Sequence, residues 1–132
     1  MRILLVEDEV LIAMEQRFYL ESAGHEVFGP ASTAGKAIDM ARAVQPDLAL
    51  VDIHLAQGSS GIEAARQMTG LGIPCLFVTS YREEVEPSRE YGLGCLPKPF
   101  SEATLLAAVN AVRALLAGEE PRKVPDTMEL FG

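Results

Sequence analysis

Five short apolar runs, separated by longer segments, constrain the fold of this chain more than any other feature of the sequence. The runs at 3–6, 48–51 and 75–78 are continuously apolar, whereas those at 25–28 and 95–97 are weaker. Continuous apolar runs are typical of parallel strands covered on both faces, and weaker runs suit the outer strands of such a sheet. The sequence therefore predicts five strands in one sheet.

Amphipathic segments lie between these runs and predict the helices that cover the sheet. Their apolar stripes are Leu11, Met14 and Phe18; Ala34, Ala37, Ile38 and Ala41; Ile62, Ala65 and Met68; and Leu105, Ala108, Val109, Val112 and Leu116. The connection from 80 to 93 contains Pro87 and many charges, so any helix there is expected to be short or irregular. Strand–helix repeats predict a doubly wound α/β fold, which binds ligands at the carboxyl ends of its strands.

Length and charge limit the organisation and the partners of the chain. Its 132 residues suffice for one domain, predicted at 1–117, followed by a flexible tail at 118–132 and no output domain. With 11 basic and 19 acidic residues, the net charge is −8, which disfavours binding to nucleic acid or to anionic membranes. The apolar run near the N-terminus is too short for a signal peptide or a membrane span, so we expect a cytoplasmic protein.

Polar residues follow four of the predicted strands. Glu7 and Asp8 follow the first run, Asp52 the third, Thr79 the fourth and Lys98 the fifth. Taken singly, the acidic residues could be helix-start carboxylates or N-caps. Three carboxylates in one cleft, however, would repel each other unless a hard cation such as Mg²⁺ lay between them. An aspartate can attack phosphorus, while a lysine and a hydroxyl can stabilise the transferring phosphoryl group.

Four motifs carry a resemblance to a known family: ILLVEDE, LALVDIHL, FVTS and LPKPF. They resemble the receiver domain of two-component response regulators, over residues 1 to about 117. The resemblance implies a CheY-like, flavodoxin-like fold with strand order 2-1-3-4-5, and phosphorylation of Asp52 by a sensor histidine kinase.

The same resemblance implies roles for individual residues of the site. Asp8 and Asp52 would bind Mg²⁺ directly, Glu7 through water, and His54 through its backbone carbonyl. Two further residues would contact the phosphoryl oxygens and report the modification to the distal face, namely Thr79 and Lys98.

One position and one segment distinguish this chain from the usual receiver pattern. Cys95 stands where most receivers have an aromatic residue that rotates on activation. The segment 74–81 resembles the P-x-x-F-x-T-x-Y signature of the FATGUY subgroup of receivers, from which Val78 and Ser80 depart. Tyr81 is therefore a candidate for the switching or shielding role, alongside the position of Cys95. Cys75 and Cys95 lack metal-ligand spacing and are expected to be buried free thiols.

The sequence leaves several functions open. The first is a single-domain response regulator that signals through protein contacts, monomeric at rest and able to dimerise on phosphorylation. The second is a phosphotransfer intermediate or phosphate sink that exchanges phosphate with a histidine phosphotransferase. The third, a Mg²⁺-dependent phosphohydrolase, normally needs a second acid two residues after the nucleophile, where this chain has His54. We expect no enzyme activity beyond phosphorylation and dephosphorylation of the chain itself.

Overall fold

A computed structural model describes residues 1–131 as six strands and four α-helices in one sheet-centred fold. The strands are β1 Arg2–Val6, β2 Glu26–Ala31, β3 Leu48–Val51, β4 Cys75–Thr79, β5 Gly94–Pro97 and β6 Glu129–Leu130, and the helices are α1 Val10–Ser22, α2 Ala34–Val44, α3 Gly61–Gly70 and α4 Glu102–Leu116. The sheet order is β2-β1-β3-β4-β5-β6. The first five strands are parallel, as predicted, and β6 is antiparallel to β5.

Alternation along the strands divides the core into two layers. In β1, Leu4 and Val6 pack with residues of α2 and α3, and Ile3 and Leu5 pack with Leu20 of α1 and with apolar residues of α4. Successive side chains of a strand point to opposite faces, so a strand that is buried on both faces must be apolar throughout. This explains why the central strands are continuous apolar runs in the sequence.

The prediction for the core-facing side of α1 is wrong. Leu11 and Phe18 are 83% and 65% exposed, and Met14 is exposed as well, whereas Ala13, Gln16 and Leu20 are buried. The two sets differ by two positions, which places them about 200° apart around a helix of 3.6 residues per turn. The side of α1 that faces the sheet therefore carries one small, one polar and one large apolar residue, whereas Leu11, Met14 and Phe18 face outward.

The structure differs from the prediction for the C-terminal tail and agrees with the prediction for the connection between β4 and β5. Instead of a flexible tail throughout 118–132, residues 128–131 return to the sheet: Met128 is buried and β6 pairs with β5. This pairing covers a strand edge whose backbone groups would otherwise be open. Gly132 lies outside the described residues. The connection from β4 to β5 is irregular, as predicted, and consists of two 3₁₀ turns at Arg82–Glu84 and Glu86–Tyr91.

Within residues 1–131, no helix combines the length and the apolar character that a bilayer crossing requires.

Candidate functional site

Three carboxylates meet at the carboxyl edge of the sheet. β1 and β3 are neighbours with Val6 opposite Val51, so the residues that follow them, Glu7 and Asp52, emerge side by side. Ligand oxygens of Glu7, Asp8 and Asp52 lie within 4.8 Å of one another. Glu7 and Asp52 are only 2% and 6% exposed, and Asp8 is the most exposed of the three. The structure thus brings together the acidic residues that the sequence singled out.

Lys98 projects into this carboxylate cluster. Its ammonium donates a hydrogen bond to Oδ2 of Asp52 at 2.8 Å and another to Oε1 of Glu7. Its backbone N–H donates to the carbonyl oxygen of Thr79 at 3.1 Å, which anchors the lysine to the neighbouring strand. The side chain is nine-tenths buried, so its charge acts on the carboxylates with little screening by solvent.

Burial and charge oppose each other within the cluster. Burial raises the pKa of Glu7, and the contact with the Lys98 ammonium counteracts this shift. For Lys98, burial lowers the pKa, but the hydrogen bonds to Asp52 and Glu7 outweigh it and leave the pKa raised. Lys98 therefore remains an ammonium near neutral pH. A fixed cation beside a carboxylate is suited to stabilise an anionic group that is transferred to that carboxylate.

The donor set fits a hard divalent cation. The cluster contributes oxygen atoms only, and its more exposed member, Asp8, leaves a side accessible to water. Mg²⁺ prefers such a site, with one or two carboxylates and several retained water molecules. The predicted ligands Glu7, Asp8 and Asp52 are thus brought together, while coordination by the backbone carbonyl of His54 stays a prediction.

Thr79 ends β4 at the same edge of the sheet and is fully buried. Its hydroxyl oxygen accepts a hydrogen bond from the backbone N–H of Tyr81 at 3.0 Å. The hydroxyl therefore links the end of β4 to the segment that leaves the site. Its predicted contact with a phosphoryl oxygen stays a prediction.

The side chains of Tyr81 and His54 connect the segments that follow β4 and β3. Their ring centroids are 4.1 Å apart at an interplanar angle of 58°. Nε2 of His54 also lies 2.6 Å from Oε2 of Glu84. Sequence reasoning selected Tyr81 but missed Glu84, because three glutamates lie within 83–86 and nothing in the sequence distinguishes the one that contacts His54.

The two cysteines are buried and free, as predicted. Burial raises the pKa of Cys75 to about 12 and that of Cys95 to about 11. Cys95 pairs with Phe77 on β4. Cys75 lies on the same strand two residues before Phe77, so the two cysteines are not opposite each other. Cys95 belongs to the core layer below α2 and α3, and a part for this position in switching stays a prediction.

Gly61 is a residue of the site that the sequence analysis missed. It is the first residue of α3, and its N–H donates to the carbonyl oxygen of Ile53 at 2.7 Å. A β-carbon at Gly61 would overlap the backbone carbonyl of Asp52. The sequence feature that could have identified Gly61 is its position directly after the N-cap Ser60, where glycine does not stabilise a helix.

The protein family described as response regulator receiver domain matches residues 3–110 of the chain. Among solved structures, the receiver domain of Erythrobacter litoralis PhyR is 34% identical with a TM-score of 0.78, covering 93% of this chain and 95% of that one. A receiver domain from Methanospirillum hungatei is 29% identical with a TM-score of 0.80, covering 89% and 96%.

Curated relatives give the same picture. The phyllosphere-induced regulator PhyR of Methylorubrum extorquens is 37% identical over 111 residues, covering 82% of this chain and 42% of that protein. Transcriptional regulatory protein PdtaR of Mycobacterium tuberculosis is 34% identical, covering 83% and 55%. The chain spans about half the length of these two relatives. Protein PilH of Pseudomonas aeruginosa is 35% identical, covering 86% and 98%.

Proposed function

This chain belongs to the family of response regulator receiver domains, and from that membership we propose that Asp52 accepts a phosphoryl group from a sensor histidine kinase. The observation that carries the proposal is the position of the Lys98 ammonium, in contact with Asp52 and Glu7 within a cluster of three carboxylates. An ion pair that only stabilises the fold needs one carboxylate. The additional carboxylates leave negative charge for a divalent cation to bind, as cation-assisted phosphoryl transfer requires.

The proposed chemistry is an in-line displacement at phosphorus. A carboxylate oxygen of Asp52 attacks the phosphohistidine, the new O–P bond forms as the P–N bond breaks, and the bonding electron pair leaves with the imidazole nitrogen. Bound Mg²⁺, held by Asp8 and Asp52 with Glu7 behind a water molecule, would supply charge that offsets the phosphoryl oxygens. Lys98 would stabilise the same oxygens, and attack of water on the acyl phosphate would release inorganic phosphate and return Asp52 to its initial state.

Thr79 and Tyr81 are the proposed route from the phosphoryl group to the surface. The Thr79 hydroxyl, whose oxygen accepts from the N–H of Tyr81, can donate its own proton to a phosphoryl oxygen, and a shift of the hydroxyl toward that oxygen would change the restraint on the segment that follows. Tyr81, whose ring lies at a tilted angle 4.1 Å from that of His54, would shield the acyl phosphate from water. We propose that the domain works in the cytoplasm, signals through protein contacts and has no substrate other than itself.

The phosphorylation itself is tested with a small phosphodonor such as acetyl phosphate. In the presence of Mg²⁺, intact-protein mass spectrometry should show one added phosphoryl group per chain, and addition of a chelator should abolish the gain. The physical reason is that the carboxylate cluster and an anionic phosphodonor repel each other without the cation. Equal labelling with and without the chelator would contradict the proposed role of Mg²⁺.

The outer side of α1 is the proposed contact for the kinase. Leu11, Met14 and Phe18 form an exposed apolar stripe on a helix that begins three residues after Glu7. A cleft of about 320 Å³ runs beside α1 to the site, and Ile12 and Lys98 are among the residues that line it. Contiguous exposed apolar surface is typical of protein interaction sites, and this one adjoins the residue to be phosphorylated.

Substitution of Leu11 and Phe18 by Ser should slow phosphotransfer from the cognate kinase by about tenfold or more, since burial of one such side chain contributes about 1.5–3 kcal/mol. Labelling by acetyl phosphate should not change, because neither residue belongs to the carboxylate cluster. Leu71→Ser is the matched control, as Leu71 is exposed and apolar but lies at the end of α3. Equal kinase rates for the double variant and the control would refute this contact.

A further inference from the structure

The C-terminal strand is held to the sheet by a very short pairing. β6 has two residues, with Leu130 opposite Gly94 and Glu129 opposite Cys95. One further backbone hydrogen bond runs from the N–H of Phe131 to the carbonyl oxygen of Leu93 at 2.9 Å. Residues 118–127, all within the described part of the chain, contain no helix or strand. Because β6 makes few backbone hydrogen bonds and follows a connection without helix or strand, it separates easily from the sheet.

Side chains of the preceding connection hold the same strand. Nη1 of Arg89 lies 2.6 Å from Oε1 of Glu129, and Nη2 of Arg82 lies 3.7 Å from Oε2. The Arg89 guanidinium also stacks 4.4 Å from the centroid of the Phe131 ring. A carboxylate and an aromatic ring two residues apart are thus both recognised by one arginine, with a second arginine beside it.

Gly94 makes the edge of β5 accessible to this strand. A β-carbon at Gly94 would collide with the carbonyl oxygen of Glu129. The backbone of Gly94 lies outside the left-handed region, so its conformation does not require glycine and only the approach of the neighbouring strand does. The edge of β5 is therefore shaped to receive an extended segment at close range.

We infer that the edge of β5, together with Arg82 and Arg89, is a docking site for an extended segment of a partner protein that carries a carboxylate and, two residues later, an aromatic ring. The chain's own residues 129–131 occupy this site and compete with the partner. Main-chain pairing to an open strand edge supplies affinity, and side chains at alternate positions supply specificity. The two arginines that contact Glu129 identify the matching position of the partner segment as a carboxylate, and Arg89 also contacts Glu86 at 3.2 Å.

Release of the tail by phosphorylation is the second part of the inference, and it rests on the proposed function. Arg82 directly follows Tyr81, whose N–H donates to the Thr79 hydroxyl. When the Thr79 side chain moves toward a phosphoryl oxygen to donate to it, its own oxygen draws away from the Tyr81 N–H, so the turn that carries Arg82 loses one of its restraints and the ion pair with Glu129 weakens. Phosphorylation then favours exchange of the tail for the partner segment.

A peptide of residues 125–131 with a fluorescent label tests the docking site on the full chain. In wild type the attached tail competes at high effective concentration, whereas Glu129→Lys repels its own tail from the two arginines. We expect a saturable rise in fluorescence anisotropy with E129K, at an affinity at least tenfold higher than with wild type. The same peptide with lysine in place of its glutamate should not bind E129K.

Two further variants keep the test decisive. Arg89→Ala in the E129K background should abolish peptide binding, and Gly94→Ala in that background should do the same by blocking the edge. Circular dichroism of each variant reports whether it is folded. Equal binding of the peptide to wild type and E129K, or binding to E129K that survives loss of Arg89, would overturn the docking site.

The link to phosphorylation is measured on wild type treated with acetyl phosphate and Mg²⁺. The peptide should bind the treated protein more tightly than the untreated one, and mass spectrometry of the same sample reports the phosphoryl content. Peptide binding to E129K together with unchanged binding to phosphorylated wild type would overturn the release step alone. A sample without added phosphoryl groups would instead overturn the proposed function.

Discussion

Replacement of Asp52 by Asn should reduce phosphorylation of the chain by about 10³-fold or more, the scale of loss that follows removal of a catalytic nucleophile. The amide has almost the same shape as the carboxylate and can still accept a hydrogen bond from Lys98, so the fold should persist. What it lacks is the negative charge and the nucleophilic oxygen that form the bond to phosphorus. The measurement is the initial rate of phosphoryl incorporation from acetyl phosphate with Mg²⁺, followed by mass spectrometry.

Asp39→Asn provides the matched control for this prediction. It makes the same chemical change at an exposed position of α2, and phosphorylation should proceed at the wild-type rate. Rapid labelling of the Asp52→Asn variant would assign the phosphoryl group to another residue. In that case peptide mapping of the labelled protein would identify the true acceptor, and the assignment of Asp52 would be wrong.

The sheet and the edge that carries the site could be predicted because both depend on strong local patterns. A strand buried on both faces must be continuously apolar. The central strands can therefore be recognised in the sequence as the apolar runs 3–6, 48–51 and 75–78. Polar residues directly after such runs must then lie at one edge of a parallel sheet. The proximity of Glu7 and Asp52 therefore follows from the sequence pattern.

The orientation of α1 and the strand β6 could not be predicted, for different reasons. α1 carries apolar residues on two sides, and the periodicity of Leu11 and Phe18 fits a helix without telling which side meets the sheet. β6 has only two residues, one of them Glu129, which is too short for a pattern of period two. Its place depends on contacts with Gly94 and Arg89, distant in sequence. Gly61 was likewise missed, because its close approach to Asp52 exists only in the folded chain.

Substitution of Gly61 by Ala should lower the free energy of unfolding by about 2–4 kcal/mol, because the added β-carbon would occupy the position of the Asp52 carbonyl group. That group is backbone and cannot rotate away as a flexible side chain could. α3 or the loop after β3 must therefore move, and Asp52 moves with the loop. Since a displacement of about 1 Å at a reacting group can reduce a rate about 10²-fold, phosphorylation should slow by a similar factor.

Gly35→Ala separates this steric effect from the general effect of removing a glycine from a helix. Gly35 lies in α2 with open space around the position of its β-carbon, so alanine there should leave phosphorylation unchanged and raise stability by up to about 1 kcal/mol. Urea unfolding followed by circular dichroism gives both free energies, and mass spectrometry gives both rates. The two variants could instead unfold at the same urea concentration and be phosphorylated equally fast. In that case α3 can shift without disturbing Asp52, and the close approach of Gly61 to the backbone of Asp52 does not constrain the site.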